Sequence, residues 1–277
     1  MTHQPPLGEQ PPEPINPHIP HPARIYDYLL GGKDHYEADR AAAEETIRRA
    51  PQVRESARAN RAWMRRAARY LVGRGVRQFL DIGTGIPTSP NLHEVAQRIS
   101  PDCRVVYADN DPVVLAHARA LLRGSREGRT AYIEADVRRP DEILRAPELW
   151  RTLDRDRPVA LMLSAILHFV RDEEDPAGLV ATLRDALPPG SYLALSHTTN
   201  DIQPERAADA AAVYGERRAA ALMVPRPRHR VESFFAGFDV VDPGVVQLPH
   251  WHPDGPVRPR HLDEVWLYGG VGRLGTG

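Results

Sequence analysis

The stretch Gln78-Phe79-Leu80-Asp81-Ile82-Gly83-Thr84-Gly85 decides the fold of this chain. Val76 to Ile82 is a short apolar run of the length expected of a buried strand, and Gly83 and Gly85 behind it let the backbone turn tightly and approach a ligand that a side chain would block. Downstream the same rhythm repeats. Asn91 to Ser100 reads as a helix with Leu92, Val95, Ala96 and Ile99 on one face, and Val105 to Ala108 as a second strand. Asp111 is a good N-cap ahead of Pro112, with Val114, Ala118, Leu121 and Leu122 along one side; Asp175-Pro176 repeats the device ahead of Leu179, Val180, Leu183 and Leu187. Strands near 130–135, 158–164 and 191–196 complete the alternation, which predicts an α/β protein with a parallel sheet covered by helices on both faces.

In such a sheet the ligand lies outside the carboxyl ends of the strands, where strand order reverses. A dinucleotide fingerprint would need a third glycine, but position 88 is Thr88, and Pro87 and Pro90 interrupt a smooth helix entry, which argues against NAD. The second strand ends in Asp109-Asn110-Asp111. Asp109 stands 24 positions beyond Gly85, close to the roughly 20-residue offset at which an acid meets a ribose hydroxyl pair. Its other reading is a capping or turn aspartate, a slot that Asp111 already fills. The third strand ends in Glu134-Ala135-Asp136-Val137, where a short acid and an apolar neighbour suit an exocyclic amine and the face of an adenine; an ordinary loop acid remains the alternative.

Upstream, residues 1–22 hold eight prolines and almost no large apolar side chains, a composition that reads as a tail. From about Arg24 to Leu71 the sequence turns helical, with Glu44–Arg48 and Glu45–Arg49 in the favourable acid-first order and Pro51 dividing it into two helices. Gly31-Gly32 reads first as a helix C-cap. The expected division is thus a tail over 1–22, a helical lid over 23–72, and a core over 73–277 with a small cap around 200–235.

Lys plus Arg (36) nearly balances Asp plus Glu (37), and hydrophobic residues make up 42%, so nothing calls for nucleic acid or an anionic membrane as partner. No run approaches the length of a membrane span, and the single cysteine, Cys103, excludes an internal disulfide; a cytoplasmic setting is expected.

The run Asp81-x-Gly83-x-Gly85, the acid at Asp109 and the Asp136-Val137 pair are similar to the first three sequence motifs of class I S-adenosylmethionine-dependent methyltransferases. Arg24-Ile25-Tyr26-Asp27-Tyr28-Leu29-Leu30-Gly31-Gly32-Lys33-Asp34, then Ala59-Asn60-Arg61, then 78–85, then 106–114 resemble a bacterial family of such methyltransferases long catalogued as of unknown function. The resemblance covers nearly all of the chain from about residue 20. It implies a Rossmann-like, mostly parallel sheet of seven strands, the last two at about 238–242 and 263–268, an N-terminal helical extension, and S-adenosyl-L-methionine as cofactor. It implies that Asp81, Gly83 and Gly85 border the methionine end, Asp109 holds the ribose, Asn110 flanks the adenine, Asp136 and Val137 meet its amine and face, and Ser164 lines the sulfonium region. The acid or aromatic common at that last position is missing.

Methyl transfer asks mostly for positioning and exclusion of water. Candidates for handling an acceptor proton are Tyr26, His168 and His197, with a packed histidine as the plainer reading of His168. His250-Trp251-His252 lacks partners at zinc spacing, so no metal is expected; its place suggests the rim of an acceptor pocket. Arg226, Arg228 and Arg230, with Arg217 and Arg218, read as a solvated basic loop or a greeting for an acidic substrate. Tyr26 to Asp34 with Asn60 and Arg61 would form a lid over the cofactor, Gly32 allowing close approach and Arg61 facing the methionine carboxylate. The leading expectation is a methyltransferase acting on a small molecule; a non-catalytic S-adenosylmethionine or S-adenosylhomocysteine binder and a nicotinamide oxidoreductase are the alternatives.

Overall fold

The computed structural model describes residues 15–121, 125–258 and 260–275. Most of the proline-rich 1–22 segment, and Leu122 of the expected apolar stripe, lie outside the described residues. Pro20 and Pro22 are already buried, and the Pro20 carbonyl accepts from Ala220 N at 2.8 Å, so the body of the protein begins slightly before the expected boundary.

Three N-terminal helices, rather than two, come first: α1 (Pro22–Leu30), α2 (Glu37–Arg49) and α3 (Val53–Gly73). The extra break falls at Gly31, whose φ of 86° ends α1 as a left-handed cap while Gly32 N donates to the Asp27 carbonyl at 2.9 Å. The alternating part follows as β1 (Gln78–Ile82), α4 (Leu92–Ile99), β2 (Arg104–Asp109), α5 (Pro112–Leu121), β3 (Arg129–Glu134), α6 (Pro140–Arg145), α7 (Pro147–Thr152), β4 (Val159–Ser164), α8 (Pro176–Asp185) and β5 (Tyr192–Thr198). Asp111 caps α5, its Oδ1 accepting from Val113 N at 3.0 Å.

The chain then adds α9 (Pro204–Glu216), α10 (Arg228–Ser233), β6 (Phe238–Val240), β7 (Val246–Gln247), α11 (Arg260–Glu264) and β8 (Leu267–Leu274). The sheet has eight strands instead of seven, in the order β3-β2-β1-β4-β5-β8-β6, with the two-residue β7 lying alongside β8. Strands β1 to β5 are parallel, and β8 runs antiparallel to β5, β6 and β7. The last strand starts four residues later than expected, because 260–264 is helical and the strand runs through Gly269 and Gly270. A Cβ on Gly269 would lie 2.5 Å from Leu248 and 3.1 Å from Trp63, so the strand passes where only a bare backbone fits.

Successive strand residues feed two cores, as the period of a strand requires. Leu80 and Ile82 pack with Leu161 and Leu163 on the face covered by α6 and α8, while Phe79, Tyr107 and Met162 pack with Trp63, Leu71 and Trp251 under α3 and α4. A third cluster joins α1 and α2 to α9 through Ile25, Leu29, Ala43 and Tyr214. β1 has β2 on one side and β4 on the other, so the order reverses there and leaves a crevice at the carboxyl ends.

Candidate functional site

The crevice is a cleft of about 1000 Å³, open on one side to solvent. Tyr26, Arg61, Asp81, Gly83, Gly85, Asp109, Asn110, Asp136, Val137 and Ser164 all line it, drawn from α1, α3 and the ends of β1 to β4. Gly32 does not. A Cβ there would fall 1.9 Å from the Asp27 carboxylate, so its close approach is to Asp27, which also accepts from Asp34 N at 2.9 Å. The structure corrects the expectation that Gly32 approaches the ligand.

Two glycines shape the turn after β1. Gly83 has φ 72°, its N–H donates to the Ala108 carbonyl at 2.8 Å, and a Cβ would strike Ile166 at 2.5 Å. Gly85 has φ 67° and only open space where a Cβ would stand. Its N–H donates to Asp109 Oδ2 at 2.8 Å, and Asp111 N donates to Asp109 Oδ1 at 3.0 Å. Two backbone bonds therefore aim the buried Asp109 carboxylate while leaving each oxygen a further lone pair. Burial pushes the Asp109 carboxyl above its ordinary range, and pushes that of Asp81 up to about 7 against the pull of nearby Arg61.

Across the cleft, Asp136 accepts from Asn110 Nδ2 at 2.9 Å and pairs with Arg138 Nη1 at 2.9 Å. Arg138 also reaches Glu174 and the Phe169 carbonyl, tying the end of β3 to the turn after β4. Arg61 Nη2 donates to the Thr88 carbonyl at 2.5 Å and the Pro90 carbonyl at 3.0 Å, which holds its guanidinium beside the β1 turn.

Asn60 links the N-terminal helices to the sheet. Its Nδ2 donates to the Tyr26 hydroxyl at 3.0 Å, its Oδ1 accepts from Ser196 Oγ at 2.6 Å, and Tyr26 passes its own proton to the Ala57 carbonyl at 3.0 Å. Ser164 sits at the edge of this network, 3.4 Å from Asn60 Oδ1. The sequence placed Asn60 in a lid; its buried bond to Ser196, 136 residues away, carries no local signal.

Further wall comes from the start of α1 and from Ala220 and Ala221 in the 217–227 segment. Arg24 Nε and His21 Nδ1 both lie 3.1 Å from the buried Asp111 Oδ2, and His21, Ala23, Ala220 and Ala221 line the opening. Arg24 opens the run that carries the family resemblance, but neither its pairing with Asp111 nor that of His21 showed in the sequence, because the partner lies far along the chain.

The three proton-handling candidates part company. Tyr26 lines the cleft and His168 an adjoining hollow, whereas His197 faces neither. His197 Nδ1 donates to the Thr198 carbonyl at 2.6 Å and Nε2 accepts from Arg226 Nη1 at 3.0 Å, and burial drives its pKa down to about 3. Arg226 is itself 2% exposed, which corrects its reading as part of a solvated loop. The His250-Trp251-His252 segment also lies off both hollows: Trp251 is buried edge-on against Trp63 and Tyr70, and His252 Nε2 bonds the Asp242 carbonyl at 2.9 Å.

A family model described as S-adenosyl methyltransferase matches residues 8–275. Among solved structures, a DUF574 family protein from Streptomyces avermitilis is 49% identical, with a TM-score of 0.88 over 92% of this chain and 98% of its own. A methyltransferase candidate from Thermobifida fusca is 41% identical, with a TM-score of 0.86 over 93% and 96% of the two chains. No curated protein matches.

Proposed function

Since the chain belongs to the S-adenosyl methyltransferase family and is an S-adenosyl-L-methionine-dependent methyltransferase, we propose that its cofactor is held in the cleft at the β1 turn and that its acceptor is a small molecule. Asp109 receives the ribose hydroxyls, Asn110, Asp136 and Val137 surround the adenine, and Asp81, Gly83, Gly85 and Arg61 border the methionine end, Arg61 meeting the carboxylate. Ser164 lines the sulfonium region. The observation that carries this reading is the convergence of the Gly83-x-Gly85 turn, Asp109 and Asp136 on one cleft. The residues suit the group: Gly85 leaves open space at the turn, and the aimed Asp109 carboxylate keeps lone pairs for a diol.

When bound, the cofactor would supply a methyl group activated on a sulfonium, open to an acceptor lone pair because the sulfur can keep the electrons of the sulfur–methyl bond. The chain's own part is to orient and to keep water out. Residues 23–72 act as the lid and 73–277 as the catalytic core, with the 200–235 cap closing the other side. A small acceptor fits the near-zero charge balance and a cleft walled in part by the start of α1 and by Ala220 and Ala221. No described helix is long and apolar enough to cross a membrane, and we place the enzyme in the cytoplasm, in keeping with its one, buried, free cysteine.

Calorimetric titration with S-adenosylmethionine, S-adenosylhomocysteine and NAD tests the site. Both adenosyl ligands should bind, NAD should not, and Asp109→Ala should abolish binding. Unchanged affinity in that variant would overturn the assignment.

A further inference from the structure

Beyond the wall made by Tyr26 and Asn60 lies a second hollow of about 600 Å³. It adjoins the cleft through Pro22, Tyr26, Asn60, Ala165 and Phe169, which line both. Its other walls come from α1, α3, α9, the start of β8 and Met223 of the 217–227 segment. Leu29, Phe169, Met223, Trp266 and Leu267 make it largely apolar, and no Asp, Glu, Lys or Arg lines it.

Most polar atoms along the walls are already engaged. Ser56 Oγ donates to the Glu264 carbonyl and accepts from Trp266 N, Trp266 Nε1 donates to the Asp263 carbonyl, and Thr198 Oγ1 donates to the Trp266 carbonyl. Two groups stand apart. The Tyr214 hydroxyl, on a side chain 3% exposed, has no hydrogen-bond partner among the described residues. His168 is 4% exposed, and its Nδ1 accepts from Thr198 N at 3.4 Å, so in the neutral ring Nε2 carries the proton and has no partner among the described residues. Burial, with His197 and Arg226 behind the ring, holds His168 neutral.

Resting on the cofactor assignment above, we propose that this chamber takes the methyl acceptor, and that the acceptor is an uncharged, ring-bearing molecule methylated on a weakly basic aromatic or aryl nitrogen. A charged acceptor would have to leave water for a chamber with no counter-charge on its walls, a desolvation that nothing there offsets. The unpartnered His168 and Tyr214 groups can each pair with one polar atom of a neutral guest. Chemistry narrows the nucleophile further. Burial raises the Tyr26 hydroxyl above its ordinary range and its proton is committed to Ala57, Asn60 cannot ionise, and His168 is a weakened base. The chamber therefore has no group to ionise a hydroxyl. A ring or aryl nitrogen attacks with its own lone pair, gains the methyl and a positive charge, and loses any proton it carried to water on leaving. The cation so formed is poorly held where no anion faces it, which favours release.

The test uses the full chain loaded with S-adenosylhomocysteine and three probes on one ring system: quinoline, quinoline-3-carboxylate and N-methylquinolinium. Quinoline should bind at least about tenfold more tightly than either ion. Ala210→Phe, which fills the chamber from α9, should abolish quinoline binding and leave S-adenosylhomocysteine affinity within about twofold; Met223→Trp provides the same reading should the first variant not fold. Equal or tighter binding of a charged probe, no binding of quinoline, or quinoline binding that survives filling would overturn the proposal. Failure of S-adenosylhomocysteine to bind the unaltered protein would instead overturn the cofactor assignment, since quinoline would still report on the chamber by itself.

Discussion

Arg226 Nη1 donates to Nε2 of His197 across 3.0 Å, deep beneath the turn that follows β4. The remaining guanidinium protons go to the Leu167 and Val170 carbonyls and to Asp172 Oδ1, so all five donors are used on two separate segments, residues 167–172 and His197. A histidine that receives a cation's proton on one nitrogen and gives its own to a backbone carbonyl has no free site for substrate chemistry. The pair is the clasp that holds residues 217–227 beside the cleft, together with Arg226 N donating to the Thr198 carbonyl and Val224 N to that of His168.

Arg226→Lys is therefore not conservative. An ammonium has three protons and no planar fork, and the substitution should cost on the order of 3 kcal/mol, read as a lower melting temperature. His197 adds a pH signature. Its folded pKa of about 3 lies below the ordinary 6.5, so its share of stability is complete above 6.5 and is lost as pH falls toward 3, where only the unfolded chain takes up the proton. His197→Gln should flatten that part of the acid limb in a melting series; an unchanged limb would count against the buried pair.

Asp81 behaves in the opposite sense. Burial raises its carboxyl from 3.8 to about 7, so the stability it contributes is complete below 3.8 and is lost as pH rises through 7. Asp81→Asn should remove that decline and leave the variant at least as stable as the parent at about pH 8. A cationic amino group at the methionine end would favour the ionised carboxylate. S-adenosylhomocysteine binding at about pH 6 should thus release protons, seen as heat that varies with buffer, and the release should vanish in the variant. Buffer-independent heat in the parent protein would remove Asp81 from the binding site.

Arg24→Ala should free α1 from Asp111 and Asp39, with which Arg24 is paired at 3.1 and 3.5 Å. Breaking a buried pair leaves an uncompensated carboxylate, and α1 is the element that can move away from it. Limited proteolysis should cut within 15–36 several-fold faster, S-adenosylhomocysteine should bind several-fold more weakly, and both effects should shrink when ligand is present. Equal cutting rates with and without the substitution would show that α1 is held by its apolar face alone.

Arg61→Ala separates the carboxylate role from simple packing. It should weaken S-adenosylhomocysteine by about tenfold, a loss of about 1.4 kcal/mol, while 5′-methylthioadenosine, which lacks the amino-acid end, keeps its affinity. Equal losses for the two ligands would mean that Arg61 shapes the β1 turn through the Thr88 and Pro90 carbonyls and does not meet the carboxylate.

The strands β1 to β5 and the helices α4, α5 and α8 are legible because their cause is local, while the short α6 and α7 between β3 and β4 went unread. An apolar run such as Val159–Ser164, or Asp111 before Pro112, states its conformation within a few residues, and the expected bounds fall within one or two residues of those observed. The carboxyl ends of those strands then direct attention to the Asp81–Gly85 turn, Asp109 and Asp136 without any tertiary information, and the family resemblance adds Ser164. Where the cause is not local the reading went astray. The last strand, expected at about 263–268, runs over Leu267–Leu274 and passes through Gly269, where Trp63 and Leu248 leave room only for bare backbone. Arg226 looks like one more loop cation until Asp172 and two carbonyls surround it.

By itself, the sequence determined the alternating α/β order, the glycine turn after β1 and the acids at the strand ends, since periodicity, capping and backbone freedom act between near neighbours. Only the tertiary structure decided which histidine faces a hollow and which is locked, that Asn60 bonds Ser196, and that an uncharged chamber lies beside the cleft. Burial and partner choice for a side chain depend on residues tens to hundreds of positions away, and a cavity exists only as the space those packed elements leave between them.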